Sequence, residues 1–318
     1  MLKKVTKIII LILIMKICYR LTNSIYQYVF MCEKNLKERY GKNKWVMITG
    51  SSSGIGKSLA LSFARRDFNI CLIGSKRCKI TISEINKINK NVKTEWIEAD
   101  LSTMKPYPKI EKWAIKNGKN WAILINNVGY RTGGPKYEEQ SWKKMHDSIK
   151  VGTIPQSLLT KYMIKYSIKG SSNNQQKAII NITALCQTHT DLYNYDPIIS
   201  LPYLSVYEAT NAFGFYHSES IRKELNDRFD NIDYLTITPG AVLTENTKKI
   251  MNPPLSIVAS KYAENIIKLL GNKQGISSAY WGHSFISTLV NIIPFIKTPI
   301  LKSVSKNIAF NLNKVSSI

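Results

Sequence analysis

Apolar positions along this chain fall into short unbroken runs and longer interrupted ones. The short runs lie at 45–49 (WVMIT), 69–74 (NICLIG), 92–97 (VKTEWI), 121–126 (WAILIN), 177–183 (KAIINIT), 232–238 (IDYLTIT) and 276–281 (ISSAYW). Continuous runs of about four to eight residues rich in Ile, Val and aromatics predict strands buried on both faces. Segments of helical period separate them, and this alternation predicts a doubly wound parallel α/β sheet wrapped by helices. The polar stretch 169–176 (KGSSNNQQ) predicts a surface loop ahead of the fifth strand. With 318 residues and no visible internal repeat, the chain has room for one large domain with flanking segments.

Both ends depart from that pattern. Lys3, Lys4 and Lys7 precede an unbroken apolar run at 8–15. A spanning helix needs about 20 apolar residues, so this run crosses a bilayer only if Lys16 snorkels and 17–21 extend it. No small-x-small cleavage site follows, since the next residues are Lys16, Ile17, Cys18, Tyr19 and Arg20. Residues 1–32 therefore read as a retained signal anchor or an interfacial helix, with orientation open because positive charge lies on both sides. Residues 33–44 (EKNLKERYGKNK) read as a solvated juxtamembrane connector, and 45–284 as the folded domain. A second apolar stretch at 285–301 is interrupted by Pro294, Lys297 and Pro299, which disfavours a straight spanning helix. The C-terminal segment 285–318 is left between a kinked membrane contact and a helix covering the core.

Composition changes this picture little. The 45 Lys and Arg against 21 Asp and Glu give a net charge of +24, which suits an anionic membrane or a nucleic acid. The excess is Lys spread along the chain, and no RNA-binding aromatic motif, zinc-finger spacing or basic heptad accompanies it, so no nucleic-acid partner is expected. Cys18, Cys32, Cys71, Cys78 and Cys186 are odd in number and form no C-x-x-C pair, against a disulfide framework or structural zinc. The histidines lack the spacing of a zinc hydrolase motif, and no metal is expected.

The first predicted strand runs into TGSSSGIGKSLALSFARR, where Gly50, Gly54 and Gly56 lead into a helix. Glycines let the chain turn sharply and let a pyrophosphate approach the amides at the helix N-terminus. The sequence Thr49-Gly50 followed by Gly54-Ile55-Gly56 resembles the first motif of the short-chain dehydrogenase/reductase family. Further landmarks of that family follow in order. Ala99-Asp100-Leu101 comes after the third strand, Asn126-Asn127-Val128-Gly129 after the fourth, and Pro239-Gly240 with Val242 and Thr244 after the sixth. The resemblance covers about residues 40–285, and WVMITGSSSGIGKSLA, INNVG, YEATNAF and the apolar C-terminal segment most resemble the membrane-bound branch. That branch contains steroid 17-beta-dehydrogenases and very-long-chain 3-oxoacyl-CoA reductases. The resemblance implies a Rossmann-type domain, a hydrophobic small-molecule substrate and an endoplasmic reticulum membrane, and leaves open a homodimer through the long helices. It also implies cofactor contacts at Gly50, Ser52, Gly54, Ile55, Gly56, Asp100, Asn126, Gly129, Pro239, Gly240, Val242 and Thr244.

The end of the second strand bears on cofactor choice. NAD enzymes place a carboxylate there for the ribose hydroxyls, whereas a basic group accommodates the extra phosphate of NADP. Residues 74–79 (GSKRCK) hold no acid and bring Lys76 and Arg77, so NADP(H) is expected with Lys76 as a contact, although Ser75 stands where the family carries arginine.

In the family, a tyrosine gives a proton to the developing alkoxide, and a lysine four residues on lowers its pKa and holds the ribose. A serine bonds the carbonyl and an asparagine supports a relay water. YEATNAF aligns without a gap, so Tyr207 matches the tyrosine and Asn211 occupies the lysine position. Asn181-Ile182-Thr183-Ala184 puts Ala184 in the place of the serine. Thr183 offers a nearby hydroxyl, but successive strand residues face opposite sides, and without a bulge it aims away. No asparagine occurs in 146–156. The segment from Ala184 to Tyr207 is about ten residues longer than in relatives, and its Thr188, His189 and Thr190 are candidate replacement donors. The candidate catalytic set is Tyr207, Asn211 and Thr183. Two functions follow: an NADPH-dependent reductase of a 3-oxoacyl-CoA or ketosteroid, or a catalytically degenerate NADP(H)-binding pseudoenzyme serving as a membrane scaffold or regulatory protein.

Overall fold

The computed structural model describes residues 25–130, 136–169, 175–185, 202–245, 247–248 and 253–292, with isolated helical positions between 11 and 23. Within these residues the apolar runs become β1 (Trp45–Thr49), β2 (Asn69–Gly74), β3 (Thr94–Glu98), β4 (Trp121–Asn126), β5 (Lys177–Ile182) and β6 (Ile232–Ile237). Two short strands follow, β7 (Val242–Leu243) and β8 (Ile257–Val258), and then β9 (Gly275–Ser277). The main sheet has the order β3-β2-β1-β4-β5-β6-β9, with every pairing parallel. β1, β2, β4 and β6 are buried at every position, as unbroken apolar runs require. The edge strand β3 is only half-buried, and it starts two residues later than its apolar pattern implies. The last run stops early. Ser277 Oγ accepts the Ala279 N–H, Ala279 takes a left-handed φ of 53°, and the chain turns into a helix at Trp281.

Helices cover both faces, each by an apolar stripe of helical period. α1 (Leu36–Tyr40), α2 (Gly54–Arg65), α3 (Cys78–Ile88) and α7 (Ala259–Leu269) lie over the face carrying Val46, Ile48 and Ile70. α4 (Tyr107–Asn117), α5 (Trp142–Tyr162) and α6 (Ser205–Asn226) lie over the face carrying Met47, Cys71 and Leu124. In α7, Tyr262, Ala263, Ile266 and Ile267 repeat at one helical turn and are all fully buried. α8 (Trp281–Ile292) follows β9.

The segment 33–44 is not a solvated connector. Arg39 forks onto the buried carboxylate of Asp233 at the start of β6, with Nε and Nη2 at 2.6 and 2.8 Å from its two oxygens. The Tyr40 hydroxyl and Gln274 Nε2 also donate to Asp233. The carboxylate bonds raise the Arg39 pKa, and burial together with Asp233 pushes the Tyr40 phenol up. Nearby, Arg66 bridges Glu33 and Glu264, and Lys37 pairs with Asp67. The charges that made this stretch look solvated are the groups that fasten it.

The preceding turn is held as well. Tyr26–Phe30 forms a single π-helical turn in which Gln27 donates to Ser277 Oγ at 2.8 Å and Tyr28 bonds Ser278 and Ser284. Among the described residues no helix is long and apolar enough to cross a membrane. Residues 1–10 and 293–318, which contain part of each apolar end, lie outside the described residues.

The Arg39→Ala substitution strips the cation from Asp233, which is 2% exposed. Leaving a buried carboxylate without its partner is expected to cost about 3–5 kcal/mol in urea unfolding, and adding Asp233→Asn should recover part of it.

Candidate functional site

The chain leaves β1 for β2 and β3 on one side and then crosses to β4 on the other, so a crevice opens beyond the C-terminal ends of β1 and β4. Thr49 ties its two walls together. Its Oγ1 accepts the N–H groups of Asn127 and Val128 at 2.9 and 3.0 Å, and its carbonyl accepts Asn127 Nδ2 at 2.9 Å. Gly50 and Gly54 adopt left-handed φ values of 65° and 58°, which bring the turn round to the start of α2. A Cβ on Gly56 would lie 2.5 Å from both Asn127 Nδ2 and the Gly50 carbonyl, so only glycine fits this joint.

The expected cofactor residues divide into cleft and core. Gly50, Ser52, Gly54 and Gly56 form the turn, Gly129 is exposed across from it, and Thr244 closes the far side with its methyl 3.0 Å from where a Gly54 Cβ would be. No atom of the described residues lies within 4 Å of the Cβ position at Gly129. Pro239, Gly240 and Val242 follow β6 on the same side. Asp100 is exposed, with Oδ1 accepting the backbone and hydroxyl of Ser102. Lys76 is exposed beside Arg77, whose Nη2 lies 3.4 Å from Glu245.

Two of the expected residues point elsewhere. Ile55 packs against the apolar core. Asn126 is buried and donates from Nδ2 to Asn181 Oδ1 at 2.8 Å, and Asn181 in turn donates to the Tyr234 hydroxyl. Burial pushes the Tyr234 phenol up. Asn126 thus links β4 and β5 inside the sheet, and its neighbour Asn127 is the one at the cleft. The period-two alternation of side chains along a strand end could have separated them.

The positions expected to be catalytic are only partly brought together. Tyr207 and Asn211 sit one turn apart at the start of α6. Asn211 Nδ2 donates to the Tyr207 carbonyl at 2.8 Å, so the amide is turned back onto its own helix. Thr183 is buried, its hydroxyl donates to the Ile237 carbonyl at 3.1 Å, and its methyl faces Gly214. As a candidate catalytic donor Thr183 is therefore corrected to a core residue, as strand alternation implies in the absence of a bulge. Ala184 is buried and brings no polar atom. The 146–156 segment is part of α5, where Gly152 packs against Thr210 and Gln156 donates to the Gly214 carbonyl and Ser218. Thr188, His189 and Thr190 lie outside the described residues.

One residue at this site carries no motif. His283, in the first turn of α8, is fully buried; its Nδ1 accepts the Gly240 N–H at 3.1 Å and its Nε2 lies 3.3 Å from the Ala241 carbonyl. Its only sequence signal was a histidine without metal spacing.

Strand order, reversal point and glycine turn together define a doubly wound α/β fold of the dinucleotide-binding type. The chain belongs to the short-chain dehydrogenase family, whose model matches residues 44–254. A very-long-chain 3-oxoacyl-CoA reductase of Caenorhabditis elegans is 24% identical over 299 residues, covering 91% of this chain and 89% of that one. Hydroxysteroid dehydrogenase-like protein 1 of Gallus gallus is 29% identical over 280 residues, covering 82% and 75%. Among solved structures, a short-chain dehydrogenase from Sphingobium yanoikuyae in complex with NADPH shares the fold with a TM-score of 0.62 and 21% identity, covering 74% of this chain and 87% of that one.

Two outcomes follow from this geometry. Gly129→Ala meets no atom of the described residues, so thermal stability should stay within about 2 °C while binding of a nicotinamide dinucleotide weakens by about tenfold or more. Burial lowers the His283 pKa to about 4, whereas in the unfolded chain it titrates near about 6.5. The unfolded chain takes up the proton first as pH falls, so this residue's contribution is complete above about pH 6.5 and is lost between about 6.5 and 4. His283→Asn should flatten that part of the stability curve, read from urea midpoints at several pH values.

Proposed function

We propose that this chain is an NADP(H)-dependent reductase of lipid metabolism acting on a hydrophobic ketone of the 3-oxoacyl-CoA or ketosteroid class at an endoplasmic reticulum membrane. The observation that carries the reading is the joint at the switch point, where Thr49 holds the glycine turn to Asn127 and Thr244 meets Gly54 from the other side. NADP(H), when bound, supplies a hydride. Gly50, Ser52, Gly54 and Gly56 hold its pyrophosphate at the N-terminus of α2, and Lys76 with Arg77 meets the 2′-phosphate. Tyr207 gives a proton to the oxygen that becomes an alkoxide when hydride reaches its carbon. Asn211 adds no charge to that exchange, so turnover is slow.

The membrane part of the reading is supported by an apolar face. Tyr26, Val29 and Phe30 are exposed on the turn that Tyr28 ties to α8, and Trp281 and Phe285 are exposed on α8 itself. Aromatic and aliphatic side chains on adjoining elements suit a bilayer interface. The names of the relatives support a lipid substrate.

A second reading, an NADP(H)-binding pseudoenzyme at the membrane, draws on the Asn211 amide turned onto the Tyr207 carbonyl and on the commitment of the Thr183 hydroxyl to Ile237. Groups that act as a unit lose rate without simple additivity when members are removed.

The deciding experiment titrates the full chain with NADPH by fluorescence and then follows NADPH oxidation with long-chain 3-oxoacyl-CoA and with ketosteroids. The reductase reading expects slow turnover that Tyr207→Phe abolishes and Asn211→Lys raises by about tenfold or more. Binding with no turnover in the parent chain or in Asn211→Lys establishes the pseudoenzyme reading instead. NADH belongs in the same titration, because the register of β2 and β3 sets Glu98 beside Gly74.

A further inference from the structure

We propose that His283 is a positioning residue for the nicotinamide end of the cofactor cleft, acting through the 239–242 segment; the inference rests on the NADP(H) reading above. After Ile237 the chain must leave the sheet and run beside the cleft before β7 pairs with β8. Its backbone is held at the two ends of this run, by Leu185 N–H on the Pro239 carbonyl and by Ile257 N–H on the Ala241 carbonyl. The imidazole holds the middle.

Because Nδ1 accepts the Gly240 N–H, the ring proton of the neutral imidazole sits on Nε2 and points at the Ala241 carbonyl. One ring thus holds the N–H of the Pro239–Gly240 peptide and the carbonyl of the Ala241–Val242 peptide, and so orients the two peptide planes that flank the Gly240–Ala241 linkage. The ring itself cannot shift. It meets Tyr280 edge to face with centroids 5.0 Å apart and Tyr262 at 5.6 Å, and the Tyr262 hydroxyl donates to the Ser278 carbonyl at 2.7 Å. A Cβ at Gly240 would lie 2.7 Å from the His283 ring, so glycine and imidazole are matched in size. The same helical turn carries Ser284, which Tyr28 reaches from the N-terminal segment. The loop beside the cofactor is therefore set by α8 and not only by its own strand.

A space-filling role and a positioning role make different predictions for ring replacements. His283→Phe keeps an aromatic ring but leaves the buried Gly240 N–H without an acceptor. His283→Asn puts Oδ1 where Nδ1 stood and keeps that acceptor. Each variant is titrated with NADPH and with adenosine 2′,5′-bisphosphate, which occupies the turn at α2 but has no nicotinamide half. The expected result is a loss of about tenfold or more in NADPH affinity for His283→Phe, with the bisphosphate changed by less than about twofold and NADPH binding largely restored in His283→Asn. Equal weakening of both ligands in His283→Phe, or no weakening of either, overturns the inference and leaves the cofactor reading standing. A parent chain that binds neither ligand overturns the cofactor reading, and the inference with it.

Discussion

The hydroxyl of Thr49 is the point on which the rest of the site depends. It stands at the end of β1, where the sheet reverses its winding, and accepts two consecutive amides from the loop after β4. That bond pair sets how far apart the two loops lie, and Gly56 is confined to glycine because the loops are so close. Parallel strands leave their C-terminal amides pointing beyond the sheet, where they need partners. Here the last side chain of β1 satisfies amides of the loop after β4, and the two walls are joined without any ligand. Everything on its rim, from the exposed Gly129 to Thr244, is placed relative to that joint.

Much of this was legible in the chain. Runs such as WAILIN and NICLIG could only be strands buried on both sides, and their bounds match the structure. The glycine turn was equally plain, since its residues are constrained by backbone geometry and not by distant partners. What was illegible depended on long-range pairing. Arg39 and Asp233 are separated by nearly the whole domain, and nothing local marks one as the partner of the other. Charged residues near a terminus look solvated until the fold brings a buried carboxylate to them. His283 was missed for the same reason, because its role is defined by a backbone loop that no periodicity connects to it. Asn126 and Asn127 show a finer limit: the motif names both, and only the strand's alternation tells which faces the core.

The catalytic helix teaches a different lesson. A single letter at 211 replaces a long cation by a short amide, and the structure shows what such an amide does when it cannot reach across the cleft. It bonds a backbone acceptor of its own helix, the carbonyl one turn back. Thr210 donates to the same carbonyl, so two side chains converge on the backbone of Tyr207. Position and chemistry have come apart here. Tyr207 stands in the first turns of α6, while the groups around it are occupied with holding the helix and the core.

The attachment of residues 26–40 along the sheet's lower end and its β9 edge has a mechanical consequence. A flexible leash would let the domain swivel about whatever holds the chain's beginning. This one is fastened at Asp233 beneath the sheet and at Ser277, Ser278 and Ser284 beside α8. It is held at two places, one at the start of β6 and one where β9 meets α8, so the direction in which residues 26–40 leave the sheet is tied to the direction in which the cleft faces.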